Sequence, residues 1–329
     1  MKIVVMGSGA IGCLYGGLLN LANPGTVTLV GRNPVVESVK SNGLRILGAM
    51  GNHEIQIEAT EDASTIESAD LVLITTKTYD TATASKEIKH LVDKGAYVMP
   101  LQNGIGTESL VAETLNTTRV LRATTCMGAL MLAPGVVTAT GKGITEIGSV
   151  YPENLDMVGK VADLFQDAGL SVKASDNIQG VIWTKTIVNC GINPVGALTN
   201  MTNGEIYENT ALRKLVIRLV EETAAVAQAL GVELTTDNPV RYALGTAKAT
   251  SENINSMLQD IRARKKTEID SITGAVISFA HELGIDTPVS EAIYSLVKAI
   301  ESRYLAQEEL TEEDVEMAAD ELIRSVTQR

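Results

Sequence analysis

Three polar side chains recur at four-residue intervals within an otherwise apolar segment, WTKTIVNCGINP at residues 183–194. They are Lys185, Asn189 and Asn193. In a helix, residues at positions i, i+4 and i+8 lie on one face, one turn above another. A lysine can donate a proton to a developing alkoxide, and amides can hold a carboxylate or a hydroxyl through hydrogen bonds. The segment therefore predicts a helix whose polar face is a candidate reaction site.

A purely structural explanation of this stripe is also open. Lysine readily extends its ammonium to solvent along its methylene chain. In that case Lys185 would only snorkel, and the two asparagines would only end the helix before Pro194. The stripe by itself does not decide between the two explanations.

A second polar stretch, NSMLQDIRARKKTEID at residues 255–270, carries Ser256 and Glu268. Ser256 and Gln259 match the capping-box pattern, which predicts that a helix opens at Ser256. A hydroxyl at a helix N-terminus can help to bind an anion such as a carboxylate. The structural alternative makes Ser256 a plain N-cap and Glu268 a solvated helix charge.

Length and charge limit the classes of protein that fit this sequence. A chain of 329 residues is a natural length for two domains. The net charge of −13 would repel nucleic acid and anionic membrane surfaces, so neither is an expected partner. There is no apolar run of about 18 residues, so no membrane span is predicted. The oligomeric state is left open, with a homodimer as one option.

Cysteine and histidine are too sparse and scattered to predict a disulfide framework or a metal site. Cys13, Cys126 and Cys190 are far apart with no CxxC pair, and the three histidines show no ligand spacing. The N-terminus also lacks the long apolar core of a signal peptide. A reducing, cytoplasmic location is therefore expected.

The first half of the sequence has the pattern of a parallel sheet covered by helices. Short, nearly continuous apolar runs occupy residues 2–6, 26–30, 70–75 and 96–101, with helical patterns between them. Such strands are typical of a sheet buried on both faces. Further along, strands near 136–140 and 144–149 resemble a hairpin around Gly141 and Gly143. A helix near 154–168 and a strand near 170–173 complete this half.

The second half is predicted to be helical. Helical patterns cover residues 178–190, 205–230, 257–283, 288–303 and 312–326, the last with Thr311 as N-cap. We place the boundary near Ser175 and Asp176. The predicted fold class is an α/β Rossmann-type N-terminal domain with a parallel sheet, at residues 1–175, followed by an all-helical C-terminal domain, at residues 176–329.

The loop GSGAIG at residues 7–12 fits the G-x-G-x-x-G pattern of dinucleotide-binding proteins. Its context supports this interpretation, because a strand ends at Met6 and a helix begins after Gly9. Gly7 would permit a tight turn, Gly9 the close approach of a pyrophosphate, and Gly12 the packing of helix on strand. The alternative is a plain strand-to-helix turn.

Basic and amide residues follow three of the predicted strands. Arg32, after the second strand, stands where NAD enzymes usually carry an acidic residue, and an arginine can pair with a 2′-phosphate. NADP is therefore the favoured cofactor, unless Arg32 is only an exposed loop charge. Lys77 and Asn103 follow later strands, and open parallel sheets bind ligands at these carboxyl ends.

Together these motifs resemble the ketopantoate reductase (2-dehydropantoate 2-reductase) family over nearly the whole chain. The resemblance rests on GSGAIG, LQNGIG at 101–106, WTKTIVNCGINP, TNGE at 202–205 and SMLQDIRARKKTEID. It implies a Rossmann domain followed by a helical domain, with the active site in the cleft between them. It also implies reduction of a 2-oxo acid substrate by NADPH.

The resemblance implies roles for single residues at matching positions. Lys185 matches the proton-donating lysine, and Glu268 matches the acidic residue beside it. Substrate contacts are implied for Asn103, Asn189, Asn193, Asn203 and Ser256. Cofactor contacts are implied for Gly7, Ser8, Gly9, Ala10, Ile11, Gly12, Arg32, Lys77, Asn103, Ala129 and Glu268.

Two other functions remain open at this stage. The K-x-x-x-N pair recurs in β-hydroxyacid dehydrogenases, so Lys185 and Asn189 alone fit a reductase of another 2-oxo or 3-hydroxy acid. A non-catalytic NADP-binding sensor is a rival from another class. The presence of Lys185 and Glu268 argues against the sensor.

Overall fold

A computed structural model of the chain describes residues 1–305. The helix predicted at 312–326, with Thr311 as its N-cap, lies outside these residues. Within residues 1–305, an α/β part precedes a helical part, as the sequence predicts. Strand structure ends at Ala174 and the first helix of the helical part begins at Ile178.

The central sheet of the α/β part is fully parallel. Its strands, in the spatial order β5-β2-β1-β6-β7, are β1 Ile3–Met6, β2 Val27–Val30, β5 Glu58–Thr60, β6 Leu71–Ile74 and β7 Tyr97–Pro100. The surrounding helices are α1 Ala10–Ala22, α2 Asn33–Asn42, α3 Thr81–Glu87, α4 Lys89–Val92 and α5 Thr107–Leu115. Successive side chains of a strand point to opposite faces. Ile3 and Val5 accordingly belong to one core cluster, and Val4 and Met6 to another.

Two smaller sheets complete the α/β part. One has the order β4-β3-β10-β9, with β3 Leu44–Gly48, β4 His53–Ile55, β9 Gly128–Ala133 and β10 Val136–Gly141. The other has the order β12-β11-β8, with β8 Arg122–Thr125, β11 Thr145–Gly148 and β12 Val172–Ala174. Helix α6, Leu155–Asp167, lies between β11 and β12 in the chain.

The predicted hairpin between residues 136–140 and 144–149 is wrong. Strand β10 pairs with β9 across a turn in which Gly135 has a φ of +72°, a conformation that favours glycine. Strand β11 pairs instead with β8 and β12. Gly143 packs so tightly on the Cys126 backbone that an added Cβ would lie 2.2 Å from the carbonyl oxygen. The glycines around 141–143 thus carry the chain between two sheets.

The helical part surrounds α7, which spans Ile178–Thr199 and is almost entirely buried. The other helices are α8 Asn203–Glu208, α9 Thr210–Ala229, α10 Pro239–Ala249, α11 Ser256–Arg262, α12 Ala275–Leu283 and α13 Pro288–Glu301. Pro194 lies inside α7, so the alternative in which the asparagines end this helix before the proline is wrong. None of the helices within residues 1–305 is long and apolar enough to cross a membrane.

Two predicted long helices are interrupted. The helix predicted at 205–230 breaks at Asn209, whose side chain accepts hydrogen bonds from the backbone of Ala211 and Leu212 and so caps α9. The helix predicted at 257–283 breaks after α11, where Arg264 adopts a φ of +52°. A π-helical turn at Asp270–Gly274 then leads into α12. The break leaves Glu268 outside the regular helices.

Candidate active site

The glycine loop has the geometry that a bound pyrophosphate requires. Strand β1 ends at Met6, and α1 begins at Ala10 with Gly9 as its N-cap. Gly7 has a φ of +115°, and a Cβ on Gly12 would lie 1.9 Å from the Gly7 carbonyl oxygen, so neither position accepts a larger residue. A Cβ on Gly9 would meet no atom within 4 Å. The open side at Gly9 and the free N–H groups of the first turn fit a phosphate-bearing cofactor.

Other residues of this loop, and Arg32 after β2, also lie at the carboxyl end of the sheet. Ser8 is buried against Gly31, where a Cβ would collide with the Ser8 hydroxyl. Ile11 continues the first turn of α1. Arg32 is the residue before α2, its side chain is 92% exposed, and one guanidinium nitrogen lies 3.8 Å from the Asp80 carboxylate. Such an exposed pair is weak and leaves Arg32 available to an anion.

Lys77 lies in a polar cluster that joins the two parts of the chain. Its Nζ is 2.6 Å from Oδ2 of Asp260 and 3.6 Å from Oε2 of Glu268, both in the helical part. Burial opposes protonation of Lys77, but the charges of Glu268 and Asp260 raise its pKa above the ordinary lysine value. Burial raises the pKa of Asp260, and Lys77 partly offsets this. Lys77 therefore stays protonated between two carboxylates.

Glu268 is a second junction of this cluster. Its buried carboxylate accepts a hydrogen bond of 3.3 Å from the backbone N–H of Thr78 and one of 3.2 Å from Nδ2 of Asn103. The Thr78 hydroxyl also lies 2.6 Å from that of Ser271. Loops that follow β6 and β7 thus meet the segment after α11, as the predicted cleft requires.

Lys185 lies on the partly buried face of α7, near strand β8. Its Nζ donates a hydrogen bond of 2.6 Å to the carbonyl oxygen of Thr125. Burial lowers the pKa of Lys185, with Arg122 adding to this effect and Cys126 and Glu268 opposing it. Among the described residues, Lys185 forms no ion pair with Glu268. In this structure the Thr125 carbonyl is the group that accepts the hydrogen bond of the ammonium.

Thr125 is itself held by the helix that follows the glycine loop. The buried Tyr15 hydroxyl, on α1, lies 2.7 Å from the Thr125 hydroxyl and 2.5 Å from that of Thr145. No sequence pattern predicts this connection, because hydroxyl side chains on three separate elements meet only in the fold. Through it, the position of Lys185 is coupled to α1.

The asparagine side chains predicted to bind substrate have hydrogen-bonding atoms without a partner within residues 1–305. Within residues 1–305, the side chains of Asn189 and Asn193 on α7 form no hydrogen bond with other protein groups. Asn203, at the start of α8, donates to the Thr250 hydroxyl at 2.9 Å, and its buried Oδ1 has no partner in the described chain. Buried polar atoms are normally paired. These amides are therefore suited to bind a polar ligand.

Ser256 is not the cap that the sequence predicts. Asn255 is the N-cap of α11, and its Oδ1 accepts a hydrogen bond of 3.0 Å from the backbone N–H of Leu258. Gln259 donates to the carbonyl of Ile254 instead of closing a capping box. Asn255 fits this position because its amide is buried against Gly196 of α7. Ser256 is exposed as the first residue of α11, with its hydroxyl free of a capping role.

Comparisons with known proteins match both parts of the chain. The family model "Ketopantoate reductase PanE/ApbA" matches residues 3–152, and "Ketopantoate reductase PanE/ApbA C terminal" matches residues 177–301. The chain belongs to the ketopantoate reductase PanE/ApbA family. Proteins named 2-dehydropantoate 2-reductase from Pyrococcus abyssi and Pyrococcus horikoshii are each 40% identical to it over 304 residues, which cover 92% of this chain and 98% of theirs.

Solved structures of ketopantoate reductases share the same fold. A PanE/ApbA family ketopantoate reductase from Ralstonia eutropha JMP134 has a TM-score of 0.86 and 32% identity, over 93% of this chain and all of that chain. A D-mandelate dehydrogenase with NADH and anilino(oxo)acetate has the same TM-score with 26% identity and the same coverage. A ketopantoate reductase and a D-mandelate dehydrogenase therefore share this fold.

Two residues, Ala129 and Asp260, have surroundings in the structure that the sequence analysis did not predict. Ala129, predicted to contact cofactor in this ketopantoate reductase family member, lies in β9 opposite Ala139 and packs on the core of the α/β part. Asp260 was not predicted, although it lies four residues after Ser256 on the same helix and contacts Lys77 directly. The i, i+4 spacing of the two was the signal that could have found it.

The structure predicts different stability effects at neighbouring positions of α11. Asn255→Ala should lower the free energy of unfolding by about 0.5–2 kcal/mol, because its side chain caps the helix. Ser256→Ala should lower it far less, since Ser256 caps nothing. Denaturant unfolding of the two variants measures this difference. Equal losses would contradict the assignment of the cap to Asn255.

Proposed function

We propose that this protein reduces 2-dehydropantoate to pantoate with NADPH. The proposal rests mainly on one observation: Glu268, which Lys77 and Asn103 both contact, also acts through its charge on the pKa of Lys185 in α7. Proteins named 2-dehydropantoate 2-reductase at 40% identity over most of the chain support the same substrate. Pantoate formation is a step of pantothenate and coenzyme A biosynthesis.

Different residues of the chain donate the proton and bind the substrate in the proposed reaction. When bound, NADPH supplies a hydride to the 2-oxo carbon. Lys185 donates a proton to the carbonyl oxygen, and burial, which lowers the pKa of this lysine, makes that transfer easier. The carboxylate and hydroxyl of the substrate are held by the polar set Asn103, Asn189, Asn193, Asn203 and Ser256.

The cofactor is held by the glycine loop, Arg32 and Lys77 in this proposal. Gly9 leaves room for the pyrophosphate at the N-terminus of α1. Arg32 pairs with the 2′-phosphate, and Lys77 lies at the edge of the cleft beside Glu268. Homodimerisation, a cytoplasmic location and the lack of a nucleic-acid partner stay predictions from the sequence.

A second candidate is reduction of another 2-oxo acid. The similarity to a D-mandelate dehydrogenase with NADH favours it as the alternative. The test is a panel of 2-oxo acids, including 2-dehydropantoate, its analogue without the terminal hydroxyl and phenylglyoxylate, each assayed with NADPH and with NADH by loss of absorbance. Preference for phenylglyoxylate would replace the proposed substrate. No turnover of any member would favour a non-catalytic sensor.

Lys185→Ala should lower the turnover number by about 10²- to 10⁴-fold while NADPH still binds. In the unaltered protein the reduction rate should fall on the alkaline side as Lys185 loses its proton. Because burial lowers its pKa, the midpoint should lie below the ordinary lysine value of 10.5. The pH dependence of turnover and a fluorescence titration with NADPH measure both effects.

The exposed Lys160→Ala, in α6, is the matched control and should keep the parent turnover and alkaline limb. Near-parental turnover of Lys185→Ala would reject Lys185 as the proton donor.

Arg32→Ala should raise the Michaelis constant for NADPH by about tenfold and leave that for NADH nearly unchanged, since only NADPH carries a 2′-phosphate. The NADPH effect should shrink at high ionic strength, because Arg32 is exposed. Arg45→Ala, on β3, is a surface arginine of the same part and serves as control. An equal rise of the Michaelis constants for NADPH and NADH would refute the role of Arg32.

A further inference from the structure

We infer that Arg122 is a positioning residue that holds Asn103 in place for the reaction proposed above. Arg122 lies on β8, and its side chain is only 1% exposed. Neither the motifs of the sequence nor the comparisons assign it a role. The inference deepens the proposed function, because Asn103 is the amide expected to touch both substrate and cofactor.

The guanidinium of Arg122 binds the backbone on both sides of Asn103. Its Nη2 donates hydrogen bonds of 2.8 Å to the carbonyl of Gln102 and 3.0 Å to that of Gly104. Its Nη1 donates to the carbonyls of Pro100 and Ala123 at 2.9 and 2.8 Å. One nitrogen thus holds the carbonyl groups of the two residues that flank Asn103. A planar fork of donors suits this task better than a single ammonium would.

The loop around Asn103 needs such an external support. Gly104 has a φ of +84°, and the segment lies beyond the end of β7, where ladder hydrogen bonds no longer hold the backbone. The loop also packs against the helical part, since Ile105 N–H donates to the Ser271 carbonyl at 3.3 Å. With both flanks held, the Asn103 amide reaches Oε2 of Glu268.

The charge of Arg122 is balanced by Glu108 on α5. Its Nε lies 3.2 Å from Oε2 of Glu108, although the pair is not aligned as a hydrogen bond. The other Glu108 oxygen accepts a hydrogen bond of 3.1 Å from Gln179, in the first turn of α7. Arg122 therefore directs its well-aligned hydrogen bonds to the loop carbonyls, while Glu108 neutralises its charge. The hydrogen bonds to the loop carbonyls are therefore distinct from the charge pair with Glu108.

The test must separate positioning from stability, because removing Arg122 alone leaves Glu108 buried without its partner. We therefore use Arg122→Met together with Glu108→Gln, which removes both charges. Arg122→Met alone should lower the melting temperature, and the double variant should recover most of this loss. The double variant should still lose about 10- to 100-fold in kcat/KM, since misplaced reacting groups lower rates by such factors. Arg119→Met, an exposed arginine just before β8, is the control and should change neither property.

A double-mutant cycle that combines these substitutions with Asn103→Ala shows whether Arg122 acts through Asn103. In the Asn103→Ala background, adding the double substitution should change kcat/KM by less than about twofold, because the group that it positions is already gone. Full additivity would overturn the inference. Parental kcat/KM in a stably folded double variant would overturn it as well.

Affinity for NADPH, measured by fluorescence titration, keeps this test independent of the substrate. Asn103 is expected to contact the cofactor, so the double variant should bind NADPH more weakly in the parent background and equally in the Asn103→Ala background. Parental affinity in the double variant would overturn the inference even if 2-dehydropantoate proved to be the wrong substrate. If the unaltered protein reduced none of the 2-oxo acids, that result would count against the proposed function alone.

Discussion

The buried carboxylate of Glu268 is the constraint on which the arrangement of the two parts depends. A carboxylate removed from water must be paired and hydrogen-bonded, or it destabilises the fold. Glu268 belongs to the helical part, yet its partners Thr78, Asn103 and Lys77 all belong to the α/β part. Moving the two parts away from each other would leave this charge unsatisfied. The placement of the two parts relative to each other is therefore set by an electrostatic requirement as well as by apolar packing.

Strand β8 connects this junction to Lys185, the proton donor of the proposed function. This strand supplies the Thr125 carbonyl, which accepts the hydrogen bond from Lys185, and also Arg122, which binds the loop around Asn103. Tyr15 fixes the Thr125 hydroxyl from the helix that follows the glycine loop. Strand β8 thus connects Lys185 and the loop around Asn103 to helix α1, which begins at the glycine loop. Geometry of this kind is what catalysis by proximity and orientation needs.

Local patterns in the sequence predicted what local physics determines. The glycine loop and the polar stripe of α7 were predicted correctly in their structural setting, because turn chemistry and helical periodicity depend on neighbouring residues. The hairpin at residues 136–149 and the cap at Ser256 were wrong, since strand pairing and cap choice were decided by packing against distant elements. The contact between Lys77 and Asp260 joins residues 183 positions apart, so the four-residue spacing from Ser256 could mark Asp260 as a candidate but could not reveal its partner.

The charges of the chain show why the site must act at short range. The net charge of −13 opposes the approach of both an anionic cofactor and a carboxylate substrate. Salt screens that field beyond about 8 Å at physiological ionic strength, whereas partly buried contacts are screened much less. Lys77 is already neutralised by Asp260 and Glu268, and Arg32 is exposed to solvent. In the proposed function, binding therefore needs directed donors besides these two cations. They are the backbone N–H groups at the start of α1 and the amides of α7 that have no partner within residues 1–305, because these contribute hydrogen bonds without the cost of burying an unbalanced charge.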